Sequence, residues 1–424
     1  MTWFSRLAFV SLWVFVFTIP SEKAIEVPGF GTLSKLAGFV AIGFGLLAVL
    51  MERRVRLPAG FHKAMVLFGL WCGLTLTWTV ARDVSVGLEF TYFRLNTLLQ
   101  LFAMVLLIWQ FTGTENLTHS LLYAYVLGTL VPAANTAYNF LAGHMSLYYE
   151  RYSLANTEPN DLALALALSL PMSYYLILRG KGILRILCVA QMLAACVTVL
   201  LTASRAGSIA TLAALSIVVW TARELTPTLR AGVIVAAGLL IAAALVFVPL
   251  TSWKRLATSG SAITEGTLNS RTVIWKGGWE NFEQSPFLGI GAGAYPDGME
   301  HLFGHTKTSE NFTPVAHNTF LSVLVETGVI GFSLFAAMLA TLVAYVSRLS
   351  SPARQMWFTV LAVWTTGVMA LTWEDRKPTW LIFSLIAAHQ AAGLSMPIPV
   401  ARREARRTNR PEFRGWEETI SSCR

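Results

Sequence analysis

The stretch Ala231-Gly-Val-Ile-Val-Ala-Ala-Gly-Leu-Leu-Ile-Ala-Ala-Ala-Leu-Val-Phe-Val-Pro-Leu250 contains no charged side chain. An α-helix of that length crosses the hydrocarbon core of a bilayer. The rest of the chain is similar: 55% of its 424 residues are hydrophobic, 13% are charged, and the mean hydropathy is +0.57. A soluble domain carries about 25% charged residues. The composition therefore excludes a soluble enzyme, a disordered chain and a disulfide scaffold.

Twelve apolar runs follow one another along the chain. They lie at 3–20, 33–51, 61–80, 95–111, 118–141, 162–178, 183–203, 206–222, 231–250, 317–346, 355–373 and 379–394. We therefore predict an all-α polytopic membrane protein with about 12 transmembrane helices. The first run is interpreted as a helix and not as a signal peptide, because no small-residue cleavage site follows it.

Lysine and arginine are unevenly distributed between the two sides of this predicted bundle. With a cytoplasmic N-terminus, 19 of the 32 lie on the cytoplasmic side, including seven in the C-terminal tail. Short cytoplasmic loops are the loops enriched in basic residues, so the net charge of +9 indicates topology and no nucleic-acid partner. We expect both termini in the cytoplasm. The expected segments are transmembrane helices 1–9 over 1–250, an outer loop over 251–316, helices 10–12 over 317–396 and a basic tail over 397–424.

The long outer loop contains a predicted amphipathic helix. An Asn-Ser pair at 269–270 is an N-cap signal, which places Arg271 in the first turn. Three aromatic side chains share one face of that helix: Trp275, Trp279 and Phe282. The helix either lies in the membrane interface or packs on the outer surface of the protein. The Gly-rich run at 289–293 predicts a close-packed turn, because no strand precedes it as in a nucleotide-binding loop.

Two further residues stand where outer loops meet helices. His317 begins a long apolar run, and the positive end of that helix favours a neutral imidazole, as a general base requires. Arg205 lies in a very short turn between two apolar runs. Such a turn would hold the guanidinium of Arg205 at the depth of the lipid headgroups. A guanidinium there is suited to phosphate oxygens, although an interfacial arginine is the structural alternative.

Several other polar residues are weaker candidates. Arg151 is either a surface charge or a substrate contact, and Asn160 is predicted to cap the helix that follows Pro159. Glu326 lies inside an apolar run, where an ionisable group is commonly functional but can also be structural. Arg82, Asp83 and Arg94 flank another outer loop.

Three sequence elements taken together resemble the O-antigen ligase and polymerase superfamily of bacterial inner-membrane glycosyltransferases. They are Ser-Arg-Ala-Gly at 204–207, Asn-Ser-Arg-Thr-x-x-Trp at 269–275 with Ser-Pro-Phe-Leu-Gly-Ile-Gly at 285–291, and His-Asn-Thr-Phe-Leu-x-x-x-x-Glu-Thr-Gly-x-x-Gly at 317–331. The resemblance implies a lipid-carrier-dependent, GT-C-like fold whose large periplasmic loop covers the active site. It also implies transfer of a glycan from undecaprenyl diphosphate to an acceptor hydroxyl, which in O-antigen ligases belongs to lipid A–core oligosaccharide.

The residues fit that chemistry. Arginines in place before reaction stabilise the charge that grows on a departing diphosphate, so Arg205 and Arg271 are assigned to it. His317 is assigned as the general base, which implies inversion at the anomeric carbon. The residues assigned to substrate binding are Arg151, Asn318, Trp275 and Trp279. With no DxD-like motif on the outer side and no CxxC pair among four cysteines, we predict neither a metal nor a cofactor.

The predicted partners are the undecaprenyl-diphosphate-linked O-antigen, the lipid A–core acceptor and membrane lipids. The length of the chain favours a ligase over a protein O-oligosaccharyltransferase. A repeat-unit polymerase remains an alternative function, because no residue reveals which acceptor is used. A polytopic transporter is the alternative outside the enzymes. It is disfavoured because the candidate residues lie at the outer helix ends and not at the midplane.

Overall fold

The computed structural model describes residues 2–29, 31–79, 87–145, 151–257, 271–299 and 315–394, without the side chains of 87–91, 223, 255–257 and 394. Within these ranges the chain forms a helical bundle with one hairpin. The helices are α1 Trp3–Thr18, α2 Leu33–Glu52, α3 Gly60–Leu74, α4 Gly87–Phe111, α5 Glu115–Gly128, α6 Leu130–Leu141, α7 Pro159–Arg179, α8 Gly182–Leu201, α9 Arg205–Thr221, α10 Pro227–Phe247, α11 Leu250–Ala257, α12 Arg271–Gln284, α13 Tyr295–Gly298, α14 Thr319–Ser347, α15 Ala353–Val368 and α16 Lys377–Leu394. Between α1 and α2, β1 (Glu26–Val27) pairs antiparallel with β2 (Gly31–Thr32).

Every apolar run predicted from the sequence overlaps a helix, and the run at 118–141 is divided between α5 and α6. In the described ranges, eight helical segments are long and apolar enough to cross a membrane, with α5 and α6 taken as one segment. The helix α9 is apolar but shorter. The polytopic, mostly helical architecture is therefore confirmed, while the number of 12 spans stays a prediction.

Polar residues determine where many of the helices begin. A side-chain oxygen accepts a hydrogen bond from a backbone N–H of the first turn, which has no partner within the helix. The residues that cap helices in this way are Thr2 for α1, Thr32 for α2, Thr114 for α5, Ser204 for α9, Thr226 for α10 and Asn318 for α14.

The centre of the bundle is α7. It is buried without interruption from Leu162 to Leu176, because α5, α8, α9 and α15 pack around it. A helix that is apolar on all sides is stable only in such surroundings. The contact with α9 is close: a Cβ on Gly207 would lie 2.3 Å from the Cβ of Ala163. This packing places the start of α9 beside the start of α7.

One helix is interrupted. Within α14 the backbone at Gly328 is non-helical, with φ 65° and ψ −174°. The loop after α12 pairs with this break, since the N–H of Gly291 donates to the carbonyl of Glu326 at 2.9 Å and that of Val329 to the carbonyl of Pro286 at 2.8 Å. Trp71 of α3 donates its indole N–H to the carbonyl of Thr327 at 2.9 Å. The carbonyl groups freed by the break thus have partners.

Candidate active site

The starts of α7, α9, α12 and α14 meet at one end of the bundle, called here the site end. Asn160 links the starts of α7 and α9. Its Oδ1 accepts hydrogen bonds from Nη1 of Arg151 at 3.3 Å and from Oγ of Ser204 at 2.7 Å, and its Nδ2 donates to Oε1 of Glu158 at 2.6 Å. One amide therefore joins the loop before α7 to the turn that leads into Arg205.

The prediction that Asn160 caps α7 is wrong. The helix begins at Pro159, and Glu158 occupies the cap position without a side-chain cap bond. Proline at the first helical position has no N–H to satisfy, so α7 needs one cap bond fewer there. The Asn160 side chain is consequently available to hold Arg151 and Ser204.

Two of the predicted arginines, Arg151 and Arg271, lie in a shared charge environment. Arg151 is buried, with 6% of its surface exposed. Burial lowers the pKa of Arg271, and the carboxylate of Glu158 opposes that shift. Burial and the neighbouring Asp161 raise the pKa of Glu158, against the charges of Arg151 and Arg271. Glu158 thus lies within electrostatic range of both guanidinium groups.

His317 immediately precedes the cap of α14 and has a left-handed backbone, with φ 46°. Burial, and secondly the charge of Arg271, lower the pKa of His317 to about 4, although Asp161 acts in the opposite sense. The imidazole is therefore neutral near pH 7. From the sequence, the neutral state of His317 was predicted from the positive end of the helix. In the structure, burial and the neighbouring guanidinium of Arg271 are the main causes of the lowered pKa.

The three aromatic residues of α12 lie beside its most buried face: Trp275 and Phe282 are partly buried, and the ring of Trp279 contacts that of Phe282. The buried residues of this helix are Ile274, Gly277, Gly278 and Asn281, and the helix packs on α14 and α13. Trp275 donates its indole N–H to the carbonyl of Ala316 at 2.8 Å, next to His317. Trp279 is 49% exposed and donates to Glu283 of its own helix. The interpretation of a helix packed on the protein is confirmed, and Trp279 remains on the outside.

Asn318 has a structural contact in addition to its predicted role. Its Oδ1 accepts from the N–H groups of Phe320 at 3.0 Å and Leu321 at 3.2 Å, so it caps α14. Its assignment to substrate binding stays a prediction, as do those of Arg151, Trp275 and Trp279.

Glu326 and Arg94 belong to one buried network. Nη1 of Arg94 contacts both carboxylate oxygens of Glu326, at 2.7 and 2.8 Å, and its Nη2 contacts Oε1 of Glu374 at 2.7 Å. The N–H groups of Gly293 and Tyr295 donate to Glu326 at 2.9 and 3.3 Å. The network joins α4, α14, the Gly-rich loop and the connection between α15 and α16. It gives Glu326 a structural role, which the sequence had left open.

The Gly-rich run at 289–293 is a close-packed turn, as predicted. Gly289, Gly291 and Gly293 all have positive φ. Their N–H groups donate to Ser285, to the backbone of Glu326 and to its carboxylate, respectively. Because these donors are engaged inside the protein, the run does not present them to a phosphate.

Sequence reasoning missed the acidic residues at the site and the connection between α15 and α16. Asp161 accepts from the indole N–H of Trp373 at 2.8 Å and pairs with Arg376 at 3.5 Å. The backbone N–H of Trp373 donates to Oγ1 of Thr319 at 2.8 Å, which ties this connection to the start of α14. Four consecutive charged residues at 374–377, between two apolar runs, were the signal that could have revealed it.

Some predicted features lie outside the described residues: the N-cap pair at 269–270, Arg82, Asp83 and the tail at 397–424. Among the described residues, a cluster with metal-ligand spacing lies at the opposite end of the bundle and consists of Glu115, His119 and His389. Metal independence at the site end stays a prediction.

The site end therefore combines a neutral imidazole with several guanidinium groups under partial burial. Such a set can accept a proton and stabilise a polyanion. Residues 190–336 match the family model described as O-antigen ligase, and this span contains Arg205, Arg271 and His317. The resemblance to the O-antigen ligase and polymerase superfamily is thus confirmed over that part of the chain. No curated protein matches the chain with significant similarity.

The fold and this match define a coarse class. The protein is a multi-pass membrane protein with similarity to a family of glycosyltransferase-like ligases and polymerases. Such a family acts on lipid-linked glycans in a membrane, which agrees with the anion-stabilising character of the site end.

Proposed function

We propose that the protein is an O-antigen ligase of the bacterial inner membrane with a GT-C-like fold. It transfers a glycan from undecaprenyl diphosphate to a hydroxyl of lipid A–core oligosaccharide at the periplasmic face, and both of its termini are cytoplasmic. The observation that carries the proposal is the neutral, half-buried His317 beside the guanidinium of Arg271, inside the span that matches the O-antigen ligase family.

The leaving group explains the need for arginine. Cleavage of the glycosyl–phosphate bond places negative charge on the departing diphosphate. Arg271 and Arg205 stabilise that charge more strongly in the transition state than in the ground state, and thus increase the rate. Arg151, held by Asn160, is a third cation that can orient the phosphates.

The acceptor hydroxyl supplies the nucleophile. Its oxygen forms the new bond to the anomeric carbon, its proton moves to His317, and the old bond to the diphosphate oxygen breaks with its electron pair. Direct attack inverts the anomeric configuration. The bound diphosphate also raises the proton affinity of His317, because a nearby negative charge favours the imidazolium. The base therefore becomes stronger when the donor is in place.

The test is glycan transfer by purified protein. Undecaprenyl-diphosphate-linked glycan and lipid A–core are supplied with a chelator and no nucleotide. Transfer by wild type and by His144→Ala, but not by His317→Ala, supports the proposal. His144 is an exposed histidine at the end of the segment after α6 and serves as the matched control.

The other outcomes contradict the proposal in distinct ways. Transfer that stops with the chelator would contradict metal independence. Longer lipid-linked glycan with no product on lipid A–core would make the protein a polymerase, and glycan on a supplied pilin only would make it a protein O-oligosaccharyltransferase. A folded protein that forms no covalent product with matched substrates would contradict an enzymatic function and favour the transporter alternative.

A further inference from the structure

A groove opens at the site end on the side of the bundle formed by α2 and α4. Its volume is about 340 Å³, which is within the range of small-molecule sites. We call it the α2–α4 groove; its lining comes from α1, the connection between α1 and α2, the first half of α2, the middle of α4 and residues 375–377. Phe39 and Phe93 line it and are 46% and 63% exposed, so the groove borders the lipid-facing surface.

Within the part of the chain that the structure describes, the groove contains polar side chains without protein partners. Oγ of Ser34 is buried and has no hydrogen-bond partner among these residues. Asn96 and Gln100, one turn apart on α4, make no side-chain hydrogen bond to any described residue, although both lie in a membrane-length helix. Asn96 is exposed and Gln100 is partly buried. On a helix that crosses a bilayer, polar side chains are costly unless a partner satisfies them. The polar side chains of the lining therefore favour a ligand that carries hydrogen-bonding groups.

The charge of the lining favours an anion. Lys377 pairs with Glu22, and Arg376 with Asp161 and Asp375. Lys35 has no carboxylate partner among the described residues. Of the charged residues that line the groove, three are cationic and two are anionic. A single phosphate group of a ligand could pair with the ammonium group of Lys35.

Deeper in the groove the lining becomes apolar, with Phe15, Ile42, Leu101 and Met104. Apolar walls below a polar, cationic rim match a lipid with acyl chains, amide or ester groups and a phosphate. A polyprenyl tail has no polar atoms to satisfy Asn96 and Gln100. Two other crevices, along α8 and α10, have volumes of about 480 and 520 Å³ and almost wholly apolar linings. Those crevices suit a polyprenyl chain better.

The groove is connected to the candidate base. Arg376, at its rim, pairs with Asp161 at 3.5 Å, and Asp161 lies within electrostatic range of His317. A smaller cavity, of about 50 Å³, lies between them and is lined by Glu22, Asp161, Trp373 and Arg376 among others. A lipid in the α2–α4 groove would therefore present its headgroup beside the site.

We propose that the α2–α4 groove binds the lipid anchor of the acceptor, a phosphorylated glycolipid with amide- and ester-linked acyl chains. This proposal rests on the proposed function for its assignment of the acceptor role, but its binding chemistry can be measured without any transfer reaction.

The first experiment measures binding. Detergent-purified wild type is titrated with bisphosphorylated lipid A that carries no core sugar. Three groove variants are titrated in parallel: Lys35→Gln, Gln100→Leu and Thr97→Trp. The indole introduced by Thr97→Trp is intended to fill the groove. We expect lipid A to bind the wild type, with affinity reduced about tenfold in each variant. Lys276→Gln, a change of an 81% exposed lysine on α12, is the control. Equal binding by wild type and all groove variants would overturn the proposal, as would equal affinity for phosphatidylglycerol.

The second experiment measures kinetics. The groove variants should raise the KM for lipid A–core about tenfold and leave the KM for the undecaprenyl-linked donor unchanged. The opposite pattern would make the groove a donor site and overturn the proposal. If lipid A binds in the groove but no transfer occurs, the proposed function fails and the lipid site stands. If transfer occurs but the groove variants bind lipid A as tightly as wild type, the proposed lipid site is wrong and the proposed function stands.

Discussion

Gly289 and Gly328 pack backbone against backbone. A Cβ on Gly289 would lie 2.4 Å from the carbonyl oxygen of Glu326, and a Cβ on Gly328 would lie 2.2 Å from that of Phe287. Both glycines have positive φ, 73° and 65°. This contact fixes the loop after α12 in the break of α14. The helix that begins with Arg271 is thereby fixed against the helix that follows His317.

The first prediction concerns that contact. Gly328→Ala should lower the thermal midpoint in detergent and reduce glycan transfer at least tenfold, because a left-handed non-glycine residue costs about 1–3 kcal/mol and its Cβ has no room. Gly238→Ala on α10 is the control, since a Cβ there meets nothing within 4 Å. A Gly328→Ala protein with the midpoint and the activity of wild type would show that the packing is not required.

The second prediction ranks two changes in the buried ion network. Arg94→Leu should destabilise the protein more than Glu326→Gln. The first leaves Glu326, Glu374 and Asp375 without the guanidinium that they share, whereas the second removes one of three carboxylates around a single cation. Loss of one partner from a buried pair costs about 3–5 kcal/mol. Thermal midpoints of both variants in the same detergent test the order, and the reverse order would contradict this account.

The third prediction is a pH dependence. The general base must be neutral, and the pKa of His317 is about 4. The kcat/KM should therefore stay level as the pH falls from 8 to 6 and decline only as it approaches 4, because this ratio reports the free enzyme. A decline centred near the ordinary histidine value of about 6.5 in wild type would contradict the assignment.

Two measurements accompany that profile. Arg271→Gln should move the acid limb of the residual activity towards higher pH, because it removes a positive charge that lowers the pKa of His317. Folding stability should fall as the pH drops from about 6.5 towards 4, since the unfolded chain then takes up a proton that the folded imidazole does not. Stability is measured separately so that unfolding is not mistaken for loss of the base.

The fourth prediction separates guanidinium geometry from charge. Arg271→Lys should reduce transfer about 100-fold, because a lysine keeps the charge but loses the planar, bidentate contact with phosphate oxygens. Lys276→Arg, on the same helix and 81% exposed, should have no effect. Near-normal turnover in Arg271→Lys would remove bidentate phosphate binding from the mechanism.

The fifth prediction concerns the two tryptophans of α12. Trp275→Phe removes the hydrogen bond to the carbonyl of Ala316, next to His317, and should lower kcat several-fold with little change in either KM. Trp279→Phe loses only a bond within its own helix and should keep the kcat of wild type. Equal kcat values in the two variants would contradict a positioning role for Trp275.

Local sequence signals predicted the helices well, and they succeeded for Arg271 and Ser285-Pro286, which bound α12 as expected. They failed for Asn160. An asparagine before an apolar run has the composition of a cap, and only its neighbours in space, Arg151 and Ser204, direct its side chain elsewhere. The same limit applies to Trp279, because helical periodicity alone does not say which face meets the protein.

The sequence by itself determined that the chain is a polytopic membrane protein, since hydrocarbon requires long apolar helices whatever their neighbours are. It also singled out Arg205, Arg271 and His317, because each stands in a distinctive short motif at a helix end. Only the tertiary structure decided which charges face one another. The pairing of Arg94 with Glu326 joins residues 232 positions apart, and the field of Arg271 at His317 depends on how α12 packs against α14. Burial and Coulomb energy depend on distance in space, which the order of residues along the chain does not contain.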